Sequence, residues 1–443
     1  MDSVLLFILG VLIILVGLAL SIGLHEVGHL VPAKLFGVKV TQYMIGFGKT
    51  LFSFKRGETE YGFKAIPLGG YISMIGMFPP GKDGTAGRNA TTGFMQSMAQ
   101  DARVASMETV AVGEEERTFY KLPVWKRIII MFGGPFMNLL IGVLLFGVLL
   151  MGFGTPQAST TVGTVSQCVL PSTSARQTCQ SGDPEGPAAA AGLQPGDTIM
   201  SIDGTPITAW AQSTGIIRQS VDRPLTVVVK RDGAERTLTI TPRANTVAKT
   251  DASGAVLKDS SGTVLTQSVG FVGIGTVQEL VPQPVTSVLP AVGAQTGAVV
   301  GVIIHLPQRM VDVWNAAFGS GERDPNGPIS VVGIGRAAGE LTALNGVPVV
   351  DKVYTMIGML ASLNIALFVF NLIPLLPLDG GHIAGALWEG IRRTWAKLFK
   401  KRDPGPVDMA KLMPLTFAVV IVLGGMSVLL VYADIVKPVN LFG

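Results

Sequence analysis

Charge is scarce in this chain. Only 14% of its 443 residues are Asp, Glu, Lys or Arg, against about 25% in soluble domains, which excludes an ordinary water-soluble protein. The 48% hydrophobic content excludes a mainly disordered one. Basic residues are spread rather than clustered and the net charge is only +4, so nucleic acid is excluded as a partner. Histidine is rare, with four residues, and cysteine rarer, with two. Neither cysteine has a His or a second Cys at ligand spacing, so a thiolate metal centre is disfavoured.

What the chain has instead is long apolar runs. Residues 4–24 form the first, long enough at 1.5 Å per residue to cross a hydrocarbon layer of about 30 Å. It lacks a basic flank and an A-x-A-like cleavage site, so a span is expected rather than a signal peptide. Further runs at 128–153, 353–373 and 413–432 bring the expected crossings to four. A fifth apolar stretch, 289–306, is rich in Ala and Gly, holds Gln295 and His305, and is read as an interfacial helix.

Lys and Arg number 13 in residues 34–127, 7 in 382–411, and 13 in the much longer stretch 154–352. The short basic connections therefore face the cytoplasm, and both termini and the long middle stretch lie outside. The expected organisation is a first span (1–33), a membrane-associated β-element (34–77), a cytoplasmic insertion (78–122), a second span (123–154), an outside domain (155–276), an outside or interfacial helical segment (277–350), a third span with its motif (351–382), a cytoplasmic basic loop (383–411) and a fourth span with its tail (412–443). Within the insertion, residues 79–100 read as flexible.

Residues 43–48 and 59–66 carry strand signals around a Lys55-Arg56-Gly57-Glu58 turn, and 59–66 is read as an exposed strand edge. In the outside domain, Gly192-Leu193-Gln194-Pro195-Gly196-Asp197, an Asp203-Gly204 turn and a hairpin about Arg231-Asp232-Gly233 resemble a PDZ domain of the bacterial protease type. Two similar segments, 251–257 and 259–265, suggest a hairpin-like insertion. Closing the loop between Cys168 and Cys179 would contribute roughly 2–3 kcal/mol on the oxidising side of the membrane, so a structural disulfide is expected.

Chemistry concentrates at the inner end of the first span, in His25-Glu26-Val27-Gly28-His29. Histidines at i and i+4 share a helical face and can converge on one metal ion, while Glu26 beside them is placed to take a proton from water. Three ionisable residues are costly in an apolar helix unless they bind an ion or line a polar cavity. Zinc held by two imidazoles takes a third, preferably anionic ligand. Asp379 is the candidate, just past the third span, where Pro374 and Pro377 break the helix. Both spans run inward, so the two sites fall at similar depth. His382 is a weaker rival, and His305 reads as structural. A zinc transporter would spread such ligands along a path; a membrane-tethered PDZ scaffold would not need them.

With Gly46-Phe47-Gly48, Pro67-Leu68-Gly69-Gly70, Gly134-Pro135-x-x-Asn138 and Asn371-x-x-Pro374-x-x-Pro377-Leu378-Asp379-Gly380-Gly381 in this order, the chain resembles the site-2 protease family of intramembrane zinc metalloproteases. It is similar to the regulator-of-sigma-E protease branch, in a single-PDZ form closer to actinobacterial members. The resemblance implies a polytopic α-helical membrane protein with four transmembrane helices, a membrane-associated β-hairpin and an extracytoplasmic PDZ-like α+β domain. It implies one Zn2+ held by His25, His29 and Asp379, with Glu26 as general base. Asn371, Asn138, Tyr61, Phe63 and Gly70 would lie on the substrate side. The implied substrate is a single-pass membrane protein, such as an anti-sigma factor, already trimmed on its outer side.

Overall fold

A computed structural model describes residues 2–80, 94–170, 178–249, 256, 257, 259, 263–321, 323, 324 and 327–439. Two compact units make up the chain: Met1–Gly152 with Pro284–Gly443, and Phe153–Gln283. In chain order the first unit opens with α1 (Asp2–Leu35), β1 (Val40–Arg56), β2 (Thr59–Met74), α2 (Phe94–Glu108) and α3 (Val124–Gly147). The second holds β3 (Thr155–Val165), α4 (Pro187–Ala190), β4 (Thr198–Ile202), β5 (Thr205–Pro206), α5 (Trp210–Gln219), β6 (Leu225–Arg231), β7 (Ala234–Ile240), β8 (Arg243–Ala248), β9 (Thr266–Phe271) and β10 (Ile274–Val281). The first unit then resumes with α6 (Val288–Ile304), α7 (Leu306–Phe318), α8 (Val331–Ala343), α9 (Val349–Asn371), α10 (Asp379–Leu398) and α11 (Met413–Val436).

Small residues let the helices of the first unit approach closely, as expected where lipid leaves little hydrophobic drive between them. Gly28 of α1 and Gly133 of α3 press backbone to backbone, with no room for a Cβ on either. Gly10 does the same against Ala338 of α8, and Gly17 takes the Leu360 side chain of α9. Thus α1 is the post on which α3, α8 and α9 pack.

Five helices among the described residues are long and apolar enough to cross a membrane, one more than the four expected spans. The addition is Val285–Ile304, the stretch read as interfacial, and α7 follows it directly after His305. That histidine is exposed and its Nδ1 bonds the Gly301 carbonyl.

Three expectations from sequence need correction. Residues 59–66 are not a strand edge: residues 60–63 pair with 42–45 on one side and with 52–55 on the other. Residues 42–45 in turn pair with 70–73, so the outer runs are 50–56 and 70–74. Both strands double back, and such long-range pairing cannot be read from local alternation. The stretch 79–100, taken as flexible, includes the start of α2, while residues 81–93 lie outside the described residues. Arg103 ties α2 to Asp408. Finally, the expected basic loop at 383–411 is largely helical, because α10 continues to Leu398.

In the second unit the sheet order is β10-β3-β4-β6-β7, with β5 on β4. Tight turns set the register: Asp203 and Gly204 have φ of 49° and 77°, Asp232 and Gly233 of 51° and 83°, the two left-handed residues of a type I′ hairpin. The core is aliphatic, with Val162, Ile199, Ile202, Leu225, Val227 and Val229 closely packed. Asp197 is fully buried and takes a bidentate bond from Arg231 at 2.6 and 2.7 Å. β8 pairs antiparallel with β9; most of the repeat between them lies outside the described residues. Cys168 and Cys179 are joined, with Cα atoms 5.8 Å apart.

Candidate metal and catalytic site

One turn of α1 presents His25 and His29 on the face it packs against α3. Each ring is fixed through Nδ1. His29 Nδ1 lies 2.7 Å from the Ile130 carbonyl oxygen, which can only accept, so that nitrogen carries the proton. His25 Nδ1 lies 2.6 Å from Asn138 Oδ1. A buried relay fixes its direction too. Asn364 Nδ2 donates to the Leu360 carbonyl and to Ser21 Oγ, both at 2.9 Å, which leaves its Oδ1 to accept from Asn138 Nδ2 at 3.1 Å. Asn138 Oδ1 then accepts from His25. Both rings therefore turn a bare Nε2 lone pair toward the same space.

Asp379 closes that space. It is the first residue of α10, where the helix N-terminus favours an acidic side chain. Pro374 and Pro377 separate α10 from α9, and Gly380 and Gly381 let the new helix press onto the backbone of residues 372–376. Asp379 Oδ2 lies 3.3 Å from His25 Nε2 and 3.4 Å from His29 Nε2, and the two Nε2 atoms are 3.2 Å apart. That Oδ2 is buried and accepts no hydrogen bond.

Two lone pairs and a carboxylate oxygen facing one another form a donor set suited to a divalent cation. Ligands bound at about 2.0–2.1 Å around tetrahedral zinc stand about 3.3–3.4 Å apart, matching all three separations. Gly134 of α3 keeps the space clear: a Cβ there would stand 2.7 Å from His25 Nε2 and closer to His29 Nε2. The residues fit zinc.

Glu26 is buried beside the cluster and against the sheet. It lies within electrostatic reach of both histidines, Asp379 and the Ile72 backbone. The β2 run passes close enough that a Cβ on Gly70 would stand 3.0 Å from Glu26 Cγ. Gly70 is thus beside the carboxylate.

The other residues assigned from resemblance are placed differently. Asn138 is fully buried behind His25 with both polar atoms engaged, so it orients that ring and does not line a substrate path. Asn371 donates to its own helix at Leu367 O, 3.0 Å away. The Tyr61 hydroxyl accepts from Lys34 at 2.8 Å, and Phe63 is half exposed on the sheet. His382 stands outside the ligand triangle with its ring 6.5 Å from Phe78. Asn364 and Ser21, unnoticed from sequence, complete the relay. The available signal was an amide in an otherwise apolar span, costly unless bonded.

The sequence of the whole chain agrees with this geometry. A model of peptidase family M50 matches residues 13–403. The chain belongs to peptidase family M50. It is 33% identical over 443 residues to zinc metalloprotease Rip1 of Mycobacterium tuberculosis, covering 98% of this chain and 99% of that one. The Mycolicibacterium smegmatis protein of the same name is 34% identical over 452 residues, with the same coverage. Metalloprotease MmpA of Caulobacter vibrioides is 29% identical over 407 residues, covering 87% and 88%. This M50 member is a membrane-associated, zinc-dependent protease.

Proposed function

We propose that this M50 protease hydrolyses a peptide bond in or near the transmembrane segment of a single-pass membrane protein, such as an anti-sigma factor already cut on its outer side. His25, His29 and Asp379 hold the zinc; the observation that carries this is the triangle of bare Nε2, Nε2 and Oδ2 atoms. Zinc bound there supplies Lewis acidity, lowering the pKa of water and polarising the scissile carbonyl.

Glu26 accepts a proton from the attacking water and returns it to the leaving amide nitrogen as the C–N bond breaks, so the carboxylate is regenerated. A helical substrate hides its carbonyls in i to i−4 bonds and must be extended first. The outer run at 70–74 offers the edge on which it is held, because Gly70 and Ile72 lie beside Glu26. Asn371, at the end of α9, remains the candidate polar contact for the opened strand.

The fold is read as four crossings, with both termini and the PDZ-like second unit outside and the site toward the cytoplasm. Val288 at the start of α6 packs with Leu150 beyond α3, and Val313 and Ala317 of α7 pack with Ala433 near the end of α11. On this topology both places are outside, so α6 and α7 together return the chain to the side it left. A cavity of about 360 Å³ beside α5, lined by Trp210, Thr214 and Phe271 among others, suits an extended chain end in the PDZ-like unit.

Glu26→Gln tests the mechanism. Purified protein is expected to keep one zinc per chain while cleavage of a model membrane segment falls by at least a thousandfold. Full activity in this variant overturns the assignment.

A further inference from the structure

Beyond Asp379, α10 carries an unpartnered face. Leu387, Trp388, Ile391, Trp395, Leu398 and Phe399 follow helical spacing along one arc and are each at least half exposed, Trp395 at 65% and Leu398 at 73%. The opposite face is locked inward. Glu389, fully buried, takes Arg127 of α3 at 2.5 Å, Arg393 at 3.0 Å and the backbone N–H of Val407 at 2.9 Å. The helix therefore cannot roll its apolar face into the protein.

Around that face stand Arg392, Lys397, Lys400, Lys401 and Arg402, and among the described residues none of them forms an ion pair. A cavity of about 520 Å³ opens between the indoles and the cations, bordered by Trp388, Trp395, Phe399, Arg392, Lys401 and Arg402. Exposed tryptophans beside unpaired cations match the acyl–headgroup boundary of a bilayer, where indoles settle and basic residues meet lipid phosphates.

We propose that α10 lies in the plane of the membrane surface and binds anionic phospholipid, with acyl carbons against Trp388 and Trp395 and the phosphate against Arg392, Lys401 and Arg402. The proposal rests on the reading that this stretch faces the cytoplasm. Because Asp379 begins the same helix, this contact also sets the depth of the zinc ligand.

The test uses full-length Glu26→Gln protein in vesicles, with Trp125, Trp210 and Trp314 changed to Phe so that emission reports Trp388 and Trp395 alone. Phosphatidylglycerol brominated near the headgroup is expected to quench at least threefold more than phosphatidylcholine brominated at the same position. Arg392→Gln/Lys401→Gln/Arg402→Gln should abolish the difference with zinc content unchanged. Equal quenching by the two lipids, or quenching by aqueous iodide as strong in vesicles as in detergent, overturns the proposal; the latter would mark a face for a soluble partner. If the tryptophan background does not fold, mass spectrometry of the purified parent replaces it: retained phosphatidylglycerol, lost in the triple variant, is expected, and equal retention overturns the proposal. Neither readout involves cleavage, so failure here leaves the protease assignment standing.

Discussion

The first and third turns of α10 hold buried carboxylates in opposite circumstances. In its third turn Glu389 has both oxygens satisfied, by Arg127 and Arg393 on one and by Val407 N–H on the other. At its first residue Asp379 aims a buried oxygen at two bare imidazole nitrogens and accepts no hydrogen bond. Burial alone does not separate structure from chemistry here. A carboxylate whose lone pairs are all met ties helices together; one left unmet among other electron-rich atoms awaits a cation.

Substitution should pull the two apart. Asp379→Ala is expected to abolish cleavage, by at least a thousandfold, and to leave zinc well below one per chain, with thermal stability of the zinc-free protein unchanged. Glu389→Gln should do the reverse: it strands Arg127 and Arg393 and costs about 3–5 kcal/mol of stability while the folded fraction keeps its zinc. Paired metal analysis and thermal melts read both. If Glu389→Gln lost zinc without lowering the melting temperature, the distinction would fail.

Asn364→Leu probes the relay more gently. With Asn138 Nδ2 left without its acceptor, the His25 ring loses the group that fixes its orientation through Asn138, and zinc affinity should weaken 10–100-fold as measured by competition with a chelator. Affinity within twofold of the parent would argue that the backbone alone orients the ring.

The smallest effect lies in the second unit. Arg231 holds the Asp197 carboxyl below its ordinary value of 3.8. A depressed carboxyl contributes stability that is present above the unfolded value and is lost as pH falls through the lower folded one. Melts of the full chain with Trp125, Trp314, Trp388 and Trp395 changed to Phe, followed at Trp210, should therefore decline below about pH 4, whereas Arg231→Gln in the same background should be less stable at pH 7 and flatter below pH 4. A parent and variant with parallel acid profiles would remove the pair from the account.

The convergence of His25, His29 and Asp379 was legible in the sequence because ionisable residues stand out against apolar runs and because i, i+4 spacing has one geometric meaning. The tight turns of the second unit were legible for a similar reason: Asp-Gly pairs supply the left-handed conformation such hairpins need. The relay was not, since an amide within a span does not reveal its partners, and Asn138 and Ser21 lie far from Asn364 in the chain. The role of Asn138 was misread because its motif does not reveal which way an amide points. Residues 59–66 resembled an edge because alternation reports which side chains are buried, not which strands flank them. The apolar face of α10 is broken in sequence by Arg392, Arg393 and Lys397 and becomes continuous only on the helix.

The most direct test of the zinc site is X-ray absorption at the zinc edge on the purified Glu26→Gln protein. Two imidazole nitrogens at about 2.0–2.1 Å and carboxylate oxygen at about 2.0–2.2 Å are expected, with the zinc signal per protein falling well below that level in Glu26→Gln/Asp379→Ala. Sulfur scattering, or a spectrum unchanged by loss of Asp379, would contradict the site described.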